Sequence, residues 1–90
     1  MKKLPIICPS CETPLVVSQL SCTACDTIIS GNYTLPFLLQ LSSDDQAFVL
    51  EFFLTSGSLK KMAVKMEKSY PTVRNKLDDI IEKIINLQNA

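Results

Sequence analysis

Residues 57–77 read GSLKKMAVKMEKSYPTVRNKL, and two short helices with a sharp bend between them account for nearly every position in that stretch. Ser58 is a good N-cap, because its hydroxyl accepts a backbone N–H that a helix start leaves without a partner. Leu59, Met62, Ala63 and Met66 then fall on one face at i, i+3, i+4, i+7 spacing. Ala63 is small where two helices must cross closely beside a tight turn. The second helix opens with Ser69 as its cap and Pro71 in the first turn, where the missing N–H costs nothing, and it turns Val73 and Leu77 inward. Tyr70, Pro71, Arg74 and Asn75 are left facing outward.

Upstream of this stretch, Cys8-Pro9-Ser10-Cys11 and Cys22-Thr23-Ala24-Cys25 form two CxxC pairs with ten residues between them. Each pair sits on a tight turn that aims two sulfurs at one spot, and two such turns supply the four thiolates of a structural zinc. Sulfur donors without histidine favour zinc, with iron the other option, and a closed four-ligand shell leaves no position for substrate. Two disulfides fit a cytosolic chain badly, and a redox CxxC belongs beside a βαβ pattern for which this chain is too short. Glu12 and Asp26 stand where zinc knuckles often carry glycine; Asp tolerates the unusual φ more readily than Glu. Residues 15–20 and 27–35 are β-rich runs punctuated by Pro14 and Gly31-Asn32, so a zinc ribbon of two or three short strands is expected.

Leu59, Ala63 and Met66, followed by Ser69-Tyr70-Pro71-Thr72-Val73-Arg74-Asn75-Lys76-Leu77, resemble the Fis-type helix-turn-helix, with the second helix in the place of the recognition helix. Glu67 stands where that motif usually has the turn glycine, and Lys68 where it usually has an apolar residue. A left-handed backbone at Glu67 costs roughly 1 kcal/mol relative to glycine. With the four cysteines included, nearly the whole chain is similar to bacterial domain of unknown function family 2089. The resemblance implies an N-terminal four-cysteine zinc ribbon joined to a C-terminal helix-turn-helix.

Ninety residues make one small domain or two very small ones, and a chain of this size buries only a modest core, so a staple is expected. The fold class that follows is small α+β, with residues 1–35 as the ribbon and 36–90 as a three-helix helix-turn-helix unit ending in a long last helix. The segment Leu35-Pro36-Phe37-Leu38-Leu39-Gln40-Leu41 is too apolar for a free linker and is expected to pack. Ser42 or Ser43 opens the first helix, with Gln46 at capping-box spacing from Ser43 and Asp44 and Asp45 at the positive end of the dipole. Ala47-Phe48-Val49-Leu50-Glu51-Phe52-Phe53-Leu54 is apolar almost all the way round, so one face covers the helix-turn-helix and the other needs a partner. In the last helix Val73, Leu77, Ile80, Ile84 and Leu87 recur at 4-3-4-3 spacing, with Ile81 and Ile85 widening the stripe. That stripe either folds back on the Phe-rich helix or pairs with a second copy. A homodimer through Leu77, Ile80, Ile81, Ile84, Ile85 and Leu87 is the preferred expectation, since it presents two reading helices to half-sites one DNA turn apart.

A formal net charge of zero hides an uneven distribution. Lys60, Lys61, Lys65, Lys68, Arg74 and Lys76 face the single acid Glu67 between Gly57 and Lys76, the electrostatic footprint of phosphate contact. The lysines are candidates for positioning double-stranded DNA, while Arg74 toward guanine, Asn75 toward adenine, and Ser69, Tyr70 and Thr72 at the helix start are candidates for reading it. Asp78 lies one turn beyond Arg74 and competes for it. The function expected is a DNA-binding transcriptional regulator with one structural zinc per chain. The alternative is a protein-interaction adaptor that uses ribbon and apolar helices on a transcription-machinery partner without touching DNA. An enzyme is not expected: there is no histidine, no glycine-rich phosphate loop and no nucleophile beside a base. The short apolar run before Cys8 does not make a signal peptide, and residues 35–54 are broken by Ser42-Ser43-Asp44-Asp45, so a cytoplasmic protein with no membrane span is expected.

Overall fold

A computed structural model describes residues 3–89, and within them the element order is two strands followed by three helices. The strands are β1 (Val17–Ser21) and β2 (Ile28–Tyr33), and the helices are α1 (Ser43–Leu54), α2 (Leu59–Met66) and α3 (Tyr70–Gln88). The chain divides into two compact units, the first running to Gln40 and the second beginning at Leu41.

In the first unit β1 and β2 form an antiparallel hairpin, with Gln19 opposite Ser30, Leu20 opposite Ile29 and Ser21 opposite Ile28. The register slips before Val17 meets Tyr33, so β2 holds one more residue than β1 across that interval. Gly31 and Asn32, expected to punctuate the strand, lie inside it at this irregularity. A Cβ on Gly31 would come within 2.8 Å of the Tyr33 ring, so the missing side chain lets that ring fold over the strand. An isolated bridge between Ile7 and Pro14 takes the place of a third strand. Apolar side chains here find little cover: Leu20, Ile28 and Ile29 are each more than half exposed, and Leu35 is the buried hydrophobic of the unit among the described residues. A 3-10 turn over Phe37–Gln40 closes the unit, with Gln40 Nε2 donating to the Leu35 carbonyl at 2.6 Å. Of the apolar segment expected to pack, Leu35 and Leu41 at its ends are buried, whereas Phe37 and Leu38 stay exposed.

The second unit is built as the cap residues dictate. Ser42, not Ser43, caps α1 by accepting from Asp45 N at 3.2 Å, and the Gln46 amide donates to Leu41 O at 2.8 Å. Ser58 caps α2 through Lys61 N, and Ser69 caps α3 through Thr72 N. The bend between α2 and α3 is made by Glu67, at φ 54° and ψ 42°, whose N–H returns to Ala63 O and Val64 O. Left-handed geometry therefore occurs where the motif's glycine is replaced. Gly57, at φ 77°, and Ser56, at φ 58°, turn the chain from α1 into α2.

Leu41, Phe48, Leu59, Met62, Val73 and Ile80 form the core, and Val49, Phe52, Ala63, Met66, Leu77, Ile84 and Leu87 pack around it. The Phe48 and Phe52 rings stack with centroids 6.4 Å apart. Ile80 is 1% exposed within one chain, so it is a core residue and not a dimer contact, and Leu77, Ile84 and Leu87 lean on the same core. The stripe is taken up by the core of its own chain, and of its residues only Ile81 and Ile85, at 44% and 48% exposure, stay on the outside. Asp45, read as a solvated dipole residue, is buried at 1% exposure, with Lys76 Nζ 2.6 Å from one oxygen and Lys83 Nζ 2.7 Å from the other.

Candidate metal centre and nucleic-acid interface

The two cysteine pairs are copies of one local structure. Residues 8–13, CPSCET, and 22–27, CTACDT, share the pattern Cys-x-x-Cys-acid-Thr. In the first knuckle Glu12 N donates to Cys8 O and Cys8 N to Thr13 O, both at 2.9 Å; in the second, Asp26 N donates to Cys22 O and Cys22 N to Thr27 O, both at 2.8 Å. Each turn requires a left-handed acid, with φ 62° at Glu12 and 61° at Asp26, in the positions where glycine is common. The final threonine reaches back to the second sulfur: Cys11 Sγ donates to Thr13 Oγ1 at 3.3 Å, and Cys25 Sγ and Thr27 Oγ1 share a hydrogen bond of 3.0 Å. These bonds lower both thiols from their ordinary range. For Cys11 the Thr13 hydroxyl acts first, then the Thr13 backbone and the Cys8 side chain; for Cys25 the order is the Thr27 hydroxyl, its backbone and Cys22.

None of the four cysteines forms a disulfide, and each knuckle brings its own two together. Among the described residues no three His, Cys, Asp or Glu side chains stand close enough to enclose an ion, so the donors are assembled as two pairs and not as a foursome. The donor set nonetheless fits zinc: four sulfurs without histidine, two of them polarised by hydroxyls, on turns of the same shape.

The residues expected to meet nucleic acid sit on the second unit and are exposed there. Ser69, Tyr70, Thr72, Arg74 and Asn75 lie on the opening of α3, and Lys60, Lys61, Lys65 and Lys68 on and after α2. Tyr70 is 51% exposed. Their freedom differs. Among the described residues no ion pair engages Lys60, Lys61 or Lys68, whereas Lys65 pairs with Glu51 and Arg74 Nε lies 3.5 Å from Asp78 Oδ2. Lys76 is half-buried and held by Asp45, which removes it from the set of free phosphate ligands. Ser69 Oγ and Thr72 Oγ1 bond each other at 2.7 Å and finish the cap before they reach anything outside. A groove of about 470 Å³ also opens beside this face, floored by Ala47, Phe48, Met62, Met66 and Val73. Neither the groove nor the Asp45 clasp was visible in the sequence, since both depend on which helix faces meet. The Lys76–Lys83 spacing of seven puts both amines on one side of α3, but it does not name the acid they meet.

Among the described residues no helix is long and apolar enough to cross a membrane. No curated protein and no solved structure gave a significant match to the chain. Two family models do match: the helix-turn-helix part of domain of unknown function DUF2089 over residues 41–86, and the DUF2089 zinc ribbon over residues 8–38. A ribbon and a helix-turn-helix in one chain suggest a zinc ion and nucleic-acid binding. The matched segments meet the fold unit for unit, and the chain belongs to the DUF2089 family.

Proposed function

We propose that the protein is a DNA-binding transcriptional regulator in which α3 reads the major groove and a structural zinc braces the ribbon. One observation carries this reading: Lys60, Lys61 and Lys68 are exposed on and after α2 and make no ion pair among the described residues, and Tyr70, Arg74 and Asn75 are exposed at the opening of α3. Lysines of this kind fix a helix on the phosphate backbone, and side chains at the helix start supply the readout. Arg74 must leave Asp78 to reach a guanine edge, a small loss because an exposed pair of this kind contributes under about 1 kcal/mol. Cys8, Cys11, Cys22 and Cys25 would hold the zinc, which when bound cross-links the two knuckles in place of an apolar core. The reading has no catalytic step, and it places the protein in the cytoplasm. Pairing of two copies, in this reading, uses the exposed Ile81 and Ile85.

The test is a gel shift of zinc-loaded protein against a randomised duplex pool at several salt concentrations. Affinity should fall linearly with log salt, at about −0.9 per phosphate contact. Arg74→Ala should erode sequence preference, whereas Lys61→Ala should weaken all duplexes alike; equal losses for both variants on selected and random duplexes would count against direct readout. A second reading is favoured by one feature, the exposed Leu50, Phe53 and Leu54 of α1, with Phe53 at 80%. An adaptor that grips a protein through that apolar face would show binding nearly indifferent to salt.

A further inference from the structure

The knuckle repeat contains a residue that no account of four sulfurs requires. CPSCET and CTACDT differ at three of six positions yet end in the same threonine, and each threonine hydroxyl lies within hydrogen-bond distance of the second sulfur of its knuckle, at 3.3 Å and 3.0 Å. The backbone does not demand this. The bond that closes each turn runs from the first cysteine's N–H to the threonine carbonyl, which any residue supplies. A β-branched side chain is stiff at χ1, so Thr is a natural choice for an extended exit, but Val and Ile serve that purpose equally well. What Thr adds is the hydroxyl. It appears twice, on turns of different sequence, at the same atom of each pair.

We propose that Thr13 and Thr27 are positioning residues of the metal centre, each fixing the rotamer of Cys11 or Cys25 and donating a hydrogen bond to its sulfur once that sulfur is a metal-bound thiolate. The inference rests on the zinc reading of the four cysteines. A threonine hydroxyl can accept from a thiol, as it does from Cys11 Sγ, and with the thiol proton gone the same hydroxyl can turn its hydrogen toward sulfur. Four thiolates around a dication leave an excess of two negative charges, and a hydroxyl that donates to a thiolate takes up part of that charge. A donor on one sulfur of each pair draws charge from both sides of the cluster. Partners of this kind around a metal site are worth about 10–100-fold in affinity.

The experiment uses the full chain with Thr13→Val and Thr27→Val, singly and together, and with Thr13→Ser/Thr27→Ser as the conservative control. Valine keeps the branch, the volume and the backbone bonds and removes only the hydroxyl. Cobalt is the probe, followed by its sulfur-to-metal charge-transfer band and by competition with a chelator. The expected result is a double valine variant that binds cobalt about tenfold or more weakly with a shifted charge-transfer band, and a double serine variant close to the parent. If the parent binds cobalt through thiolate and the double valine variant matches it in affinity and band position, the threonine proposal fails while the metal reading stands. If the parent shows no thiolate band at all, the metal reading fails and takes the proposal with it.

Discussion

Asp45 shows how far one side chain can depart from what its position in the sequence implies. In the first turn of a helix, next to Asp44, it reads as a solvated dipole residue, yet it is buried and holds two amines from α3. Burial pushes its carboxyl up, but the hydrogen bonds and charges of Lys76 and Lys83 outweigh that and hold it below the ordinary carboxylate value, while Asp45 raises Lys83. A depressed carboxyl contributes stability that is present above its unfolded pKa, near 4, and lost as pH falls through the folded value. The raised Lys83 works at the other end, and its share disappears only as pH climbs past the ordinary lysine range. Asp45→Asn should therefore destabilise the helical unit by about 1–3 kcal/mol at neutral pH, the cost of a buried network losing its negative charge and one of its two acceptor oxygens. Both lysines are part-exposed and can turn to water, which keeps the loss below that of a fully stranded buried charge. Urea titrations at pH 7 and pH 3 check it: the parent should lose stability on acidification, and the variant should lose much less.

At the scale of the helices, local chemistry was readable and long-range pairing was not. Ser58, Ser69 and Pro71 mark the ends of α2 and α3 because capping is a contract between residues two or three apart. The knuckle turns, with Glu12 and Asp26 left-handed, and the α2–α3 bend, with Glu67 left-handed, were equally legible although glycine usually takes such positions. The apolar stripe of α3 was legible as a stripe, but periodicity cannot say which surface it meets. Ile80 belongs to the core of the same chain and Ile84 packs against it; Ile81 and Ile85, one position on, stay exposed. The division predicts opposite outcomes for adjacent residues. Ile80→Ala should cost about 2–4 kcal/mol through the cavity it leaves, read as a lower urea midpoint. Ile81→Lys with Ile85→Lys should leave the fold intact and, if two copies pair there, halve the mass seen by light scattering. A stable fold with unchanged mass would remove α3 from any dimer contact.

At the scale of the whole molecule the two units have different sources of stability. Residues 41–89 close an apolar core around Met62, Val73 and Ile80, and a small three-helix unit of that kind holds itself together by burial. Residues 3–40 bury almost nothing beyond Leu35, and a two-stranded sheet alone is marginal, so on the zinc reading the hairpin and knuckles would depend on the metal cross-link. Removing the metal should therefore unfold one unit and spare the other, which a single cooperative domain would not do. With a strong chelator, or in Cys8→Ser and Cys22→Ser, the amide signals of β1 and β2 should collapse to random-coil positions, while those of α1 to α3 keep their dispersion and their slow exchange. Uniform loss across both units would mean that the helices lean on the ribbon for stability. Persistence of the hairpin in both serine variants, with zinc still bound one to one, would mean that these cysteines are not the ligands. DNA affinity measured on the same chelated sample separates the roles further, because a reading head confined to α2 and α3 should still shift duplex DNA after the ribbon has come apart.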